Sequence, residues 1–215
     1  MKRILTIVIF ILLCFSLTSC AVIEALRYSI TGDIIDPVDG FSRGEEYTFI
    51  YKGNKYILIQ EINGDCEVDI TEEDILLGST SNFPFFPDSR YYASKDENPS
   101  FITGTNSTTM EGSCVYLRED LYSKGIVYAL NDSSFEFEFT SAFVKTDKVD
   151  YDIHVSRKKY TKIEIVDFYM KEIPIIKTCK RIYLINNKWY HIETDVAYQL
   201  SEEFVFQLRE NGTIN

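Results

Sequence analysis

Apolar and polar positions alternate with a period of two through much of this chain, most clearly in Phe135 to Val144, FEFEFTSAFV. Phe135, Phe137 and Phe139 fall on one face and Glu136 and Glu138 on the other, which is the pattern of a strand half buried in an antiparallel sheet. Glu46 to Glu61, EYTFIYKGNKYILIQE, holds two aromatic and β-branched runs around Lys52-Gly53-Asn54-Lys55. Gly and Asn tolerate the positive φ of a tight turn, so this stretch predicts a hairpin. Tyr151 to Val155 and Tyr160 to Met170 read as further strands, linked by the basic turn Ser156-Arg157-Lys158-Lys159. A last hairpin, RIYLINNKWYHIE from Arg181 to Glu193, turns on Asn186-Asn187 and places Trp189 as its core aromatic.

The periodicity changes near the end. Ser201 precedes Glu202, Glu203 and the apolar set Phe204, Val205 and Leu208, with Gly212 beyond. A serine N-cap, acids in the first turn and a glycine past the end predict a short C-terminal helix. The expected fold is therefore mainly β, an antiparallel sheet or small sandwich carrying that helix. Gly78 to Gly112 lacks sustained periodicity and contains three prolines with Phe83, Phe85, Phe86, Tyr91, Tyr92 and Phe101. It reads as a long aromatic loop, either a recognition surface for a protein or a glycan, or a plug over the open end of the sheet.

The chain opens with Met1, Lys2 and Arg3, followed by a 14-residue apolar core from Ile4 to Leu17 and then Thr18, Ser19 and Cys20. Two cations, a short apolar core and a small-residue exit are the parts of a secretory signal peptide, and the core is shorter than the roughly 20 residues of a spanning helix. Leu17-Thr18-Ser19-Cys20 resembles the lipobox of bacterial lipoproteins. That resemblance covers about the first 21 residues. It implies cleavage before Cys20, a diacylglyceryl group on its sulfur, and attachment to the cell membrane facing the extracytoplasmic side. An uncleaved anchor helix is the competing reading, with the same topology, because Lys2 and Arg3 hold the N-terminus inside. The expected organisation is a signal peptide over 1–19, a lipidated N-terminus and tether over 20–44, and a β-rich domain over 45–215. A flexible tether of that length reaches about 27 Å.

Charge narrows the partners. The chain has 22 cations and 33 acids, and removing Met1 to Ser19 takes away only Lys2 and Arg3, leaving 20 against 33 and a net charge of -13. Nucleic acid needs clustered Lys and Arg and is not an expected partner. A basic protein fits the charge, and an envelope glycan remains a second candidate.

Chemistry-bearing motifs are sparse. Cys66, Cys114 and Cys179 remain after Cys14 and Cys20 are set aside, and three thiols allow either inert buried groups or one disulfide. No metal site or cofactor is expected: a calcium loop begun at Asp65 has Ile70 where Gly is needed and Leu76 where a bidentate Glu belongs. Instead Thr71 should cap a turn after an acidic strand edge. His154 and His191 are the two histidines, and no nucleophile turn accompanies them. The functional expectation is a non-catalytic binding or interaction module at the cell envelope; the alternative is an envelope hydrolase using paired carboxylates.

Overall fold

The computed structural model describes residues 33–80, 89–106, 113–130, 133–146, 160–193 and 196–215. The signal region, Cys20, Phe83, Phe85, Phe86, His154 and the strand expected at Tyr151 to Val155 lie outside the described residues. The protein is mainly β. Its strands, in chain order, are β1 Phe41–Arg43, β2 Thr48–Tyr51, β3 Asn54–Leu58, β4 Cys66–Glu67, β5 Asp74–Thr80, β6 Ser89–Ser94, β7 Phe101–Asn106 and β8 Cys114–Arg118. They continue with β9 Val127–Leu130, β10 Glu136–Glu138, β11 Phe143–Lys145, β12 Lys162–Met170, β13 Lys177–Ile185, β14 Lys188–Ile192 and β15 Ala197–Leu200. Among the described residues three short helices accompany them, α1 Glu119–Tyr122, α2 Phe139–Ala142 and α3 Glu202–Glu210. None of the described helices is long and apolar enough to cross a membrane.

The β-rich stretch expected as one domain divides into two compact units. The first draws on the described residues of Met1–Leu58, Ile70–Glu111 and Tyr116–Arg118, the second on those of Ile59–Asp69, Gly112–Val115 and Glu119–Asn215. In the first unit the strand order is β1-β2-β3-β8-β7-β6-β5. Lys52 and Gly53 both take positive φ, at 48° and 76°, and make the tight β2–β3 turn that the sequence predicts. One face of this sheet buries Phe41, Phe49, Tyr51, Tyr56, Leu77 and Tyr91. The rings of Phe49 and Tyr91 lie 4.6 Å apart.

Two expectations change here. The described part of the segment read as a tether, Asp33 to Gly44, packs into the first unit: Phe41 is a core residue, and Ile35 exchanges backbone hydrogen bonds with Ser79 at 2.7 and 3.1 Å. The described part of the aromatic loop is largely sheet. Tyr91 and Tyr92 belong to β6 and Phe101 to β7, and β6 pairs with both β5 and β7. Tyr91 and Ala93 face the core while Tyr92 and Ser94 face away, so a Tyr-Tyr doublet conceals the alternation that marks a strand.

The second unit has the strand order β10-β9-β12-β13-β14-β15-β11, with β4 added against β13. Its pairings are antiparallel. The edge strands β10 and β11 are neighbours in sequence, joined only by α2. A flat sheet of this order would hold its edges about 29 Å apart at ~4.8 Å per strand, whereas a four-residue helical turn advances about 6 Å. The sheet therefore curls strongly, and its concave face fills with rings: Phe137, Phe143 and Phe168, with Phe204 from α3 at 4.7 Å from Phe137 and 5.1 Å from Phe143.

This curl explains why Phe135 to Val144 is not one continuous strand. The Phe–Glu alternation holds over β10, with Phe137 buried between exposed Glu136 and Glu138. Then α2 turns the corner, burying Phe139 and Ala142, and Ser141 Oγ donates to Glu138 O at 2.7 Å. The remaining elements agree with their signals. Asn186 and Asn187, at φ 51° and 63°, turn the β13–β14 hairpin, and Trp189 is buried. Ser201 Oγ accepts from the Phe204 amide at 3.2 Å and caps α3. Thr71 and Asp74 close a turn in which the Thr71 amide donates to Asp74 at 2.7 Å.

Candidate functional site

The concave face of the second unit carries a row of polar side chains among its rings. In β13, Thr178, Lys180 and Ile182 share the inward parity, and the cross-strand register places His191 of β14 beside Ile182 and Tyr198 of β15 beside His191. Lys180 is 1% exposed, an unusual position for an ammonium without partners. It donates to the carboxylate of Asp65, just before β4, and to Glu193 Oε1 at 3.1 Å. The Phe139 ring centroid lies 5.6 Å from Nζ, within range of a cation–π contact.

His191 joins the same network. Its Nδ1 faces Arg181 O at 3.0 Å and its Nε2 faces Glu193 Oε1 at 3.1 Å. Both partners are oxygen acceptors, so both bonds form together when the ring carries two protons. In that form two cations meet two anions. Burial alone would push the Glu193 carboxyl up, but the hydrogen bond from His191 and the charge of Lys180 outweigh it and hold Glu193 below the ordinary carboxylate range. The ligand atoms of Asp65, His191 and Glu193 lie within 4.8 Å of one another, a spacing compatible with a bound cation. Lys180 already supplies a positive charge to both carboxylates, so this geometry serves an internal ion pair network rather than an open metal centre.

Cys66 lies beside this network and is fully buried, its Sγ directed to Ile62 O at 3.3 Å. Burial pushes its thiol up to about 12, with Lys180 pulling the other way. A thiol held protonated is a poor nucleophile. No disulfide joins Cys66, Cys114 and Cys179, and of the three only Cys66 is the buried thiol that the other expectation describes, Cys114 and Cys179 being partly exposed.

Next to the saturated network is a cleft of about 220 Å³, lined by Glu61, Tyr122, Tyr128, Glu138, Phe139 and Thr140 among others. Phe139 belongs to both places. Glu61 comes from a 3₁₀ turn at Gln60–Ile62, Tyr122 from α1, Tyr128 from β9 and Glu138 from the end of β10. Two buried polar atoms of the described residues have no hydrogen-bond partner, Glu61 Oε2 and the Tyr128 hydroxyl, and both residues line this cleft. Tyr128 is 1% exposed, and burial, followed by the nearby Glu61 charge, pushes its phenol upward. A more open groove of about 300 Å³ runs past Glu67, Asp167, Lys177 and Cys179.

Of the residues singled out for binding, three fall within the described residues. Tyr91 is committed to the first unit's core, Tyr92 and Phe101 are partly buried strand residues, and Phe83, Phe85 and Phe86 lie outside the described residues. Sequence reasoning missed Glu61, Tyr128 and Lys180. For Lys180 a signal existed, since it shares its strand parity with Thr178 and Ile182 on an otherwise inward face. The class defined by these observations is a two-unit antiparallel β protein with a saturated polar network and an adjoining cleft. Comparison with known proteins finds no matching family model, curated protein or solved structure.

Proposed function

We propose that the chain is a lipid-anchored protein of the bacterial cell membrane, attached through Cys20 and facing the extracytoplasmic side, that acts as a non-catalytic binding module. The observation that carries the binding role is the pair of unpartnered polar atoms on one cleft, Glu61 Oε2 and the Tyr128 hydroxyl. Buried polar groups nearly always find partners, so two of them on residues that line the same cleft favour an incoming group that completes them. The state of the chemically capable groups supports a non-catalytic role: Lys180, Asp65, His191 and Glu193 bond to one another, and Cys66 is kept protonated. The anchor rests on the lipobox-like Leu17-Thr18-Ser19-Cys20. A diacylated cysteine supplies two chains, enough for stable attachment. The net negative charge favours a basic protein as partner, with an envelope glycan as the other candidate.

The test is crosslinking on intact cells with the wild type, Cys20→Ala and Glu61→Gln. Capture of a defined partner by the wild type, lost in Glu61→Gln, supports the binding role; equal capture by both removes the cleft from it. Release of Cys20→Ala from membranes supports the anchor, and unchanged membrane retention overturns it. The location of Glu61 and Glu138 on one cleft favours the hydrolase as a second reading. Turnover of an envelope polymer by purified protein, abolished in Glu138→Gln, would replace binding with hydrolysis.

A further inference from the structure

We propose that the Glu61–Tyr128 cleft takes the ammonium end of a primary amine, its N–H groups donating to Glu61 Oε2 and to the Tyr128 oxygen. This rests on the binding role proposed above and adds the chemistry of the ligand. The cleft presents two carboxylates, Glu61 and Glu138, and among the described residues no Lys, Arg or His lines it. An anion entering it would meet like charge. A neutral ligand would leave a buried carboxylate oxygen without compensating charge, which is costly in a poorly hydrated place.

An ammonium supplies three donors and the missing charge together. The aromatic residues Tyr122 and Tyr128 add the kind of wall that attracts organic cations, while the neighbouring ring of Phe139 is already occupied by Lys180. Tyr128 is buried and its hydroxyl has no partner, so the cleft is more than a group of surface acids. Its volume of about 220 Å³ equals about seven waters at ~30 Å³ each, room for an aminobutyl chain. Such a group is offered either by a free amine or by a lysine side chain of a partner protein.

The test is a titration followed by NMR of labelled tyrosines in the mature protein, using n-butylammonium, butan-1-ol, N-acetylglucosamine and a lysine blocked at both ends. The ammonium probes are expected to shift Tyr128 saturably, and butan-1-ol to bind at least about tenfold more weakly. The Glu61→Gln variant should weaken the ammonium probes by about tenfold or more, the loss of one charge-assisted hydrogen bond. Tyr128→Phe should weaken them less while leaving the fold intact. Tighter binding of the blocked lysine than of n-butylammonium identifies a protein side chain as the source, and the reverse order a free amine. Equal binding of butan-1-ol, or affinity unchanged in Glu61→Gln, overturns the ammonium assignment. Binding of N-acetylglucosamine alone overturns that assignment yet leaves the binding role standing, and silence of Tyr128 toward every probe removes both.

Discussion

Lys180 Nζ lies 3.1 Å from Glu193 Oε1 while the lysine side chain is only 1% exposed and Glu193 is 37% exposed. The ammonium is thus taken out of water and the carboxylates that neutralise it are not. Asp65, its other partner, is 40% exposed. This asymmetry sets the consequences of mutation. Removing the lysine leaves two carboxylates that can still reach solvent, whereas removing either carboxylate leaves a buried ammonium with one partner fewer.

Lys180→Ala should therefore destabilise the protein by about 3 kcal/mol, the low end for breaking a buried pair, because water partly recovers Asp65 and Glu193. Lys180→Met keeps the apolar stem volume and should lose less. Urea unfolding of the two variants measures the difference. A midpoint for Lys180→Ala equal to wild type would mean the network contributes nothing to stability.

Glu193 gives the network a direction in pH. Its folded carboxyl is held below the ordinary value of about 4.3, so the unfolded chain binds the proton more readily. The stability it contributes is present above the unfolded value and is lost as pH falls through the lower folded one. Unfolding free energies measured from about pH 6 down to pH 3 should fall more steeply in wild type than in Glu193→Gln. Parallel curves would count against the shift.

Cys66 should resist alkylation in the native state. With the thiol pushed up to about 12, only about one in 10⁴ molecules carries a thiolate at pH 8. Cys179 is also raised, first by burial and then by Asp167 and other nearby acids, but it is partly exposed and lines the open groove. Mass spectrometry after a timed iodoacetamide pulse should find Cys179 modified before Cys66, with Cys66 reacting only on unfolding. Early labelling of Cys66 would contradict its burial.

Gly78→Ala tests the ordered segment ahead of β1. Gly78 sits where the β5–β6 register shifts, and a Cβ there would come within 2.6 Å of Ile34 Cγ2 and 3.2 Å of Ile35 O. The substitution should cost about 1–3 kcal/mol, by overpacking and because the backbone φ of 153° at Gly78 strains any side chain. Ile34→Ala combined with it should recover part of the loss, and thermal unfolding of the single and double variants reads the coupling.

The turns and caps were legible because each is decided within four residues: Asn186-Asn187 by positive φ, Ser201 by its reach to the Phe204 amide. Phe135 to Val144 misled because alternation says which face a side chain takes but not where a curled sheet turns its corner; α2 begins at Phe139, where the pattern still reads as strand. Tyr91 and Tyr92 misled for the opposite reason, since adjacent aromatics on opposite faces show no period over a short strand. The site was hidden at another level. Whether Glu61 Oε2 or the Tyr128 hydroxyl finds a partner depends on what the tertiary fold brings near, and no local pattern encodes it.

The order in which the chain is made acquires meaning from the salt bridge across the second unit. Asp65 is translated 115 residues ahead of Lys180, and the first unit cannot be completed until Arg118, by which point Ile59–Asp69 has already emerged. Neither unit is a contiguous stretch that could fold and wait for the other half. The second gains partners for its earliest piece at Ser113 and Val115 and completes them only with β13 and β14, and contacts so distant in sequence make for slow closure. The second unit is therefore the last to be finished, since most of it, Glu119–Asn215, follows everything the first unit needs.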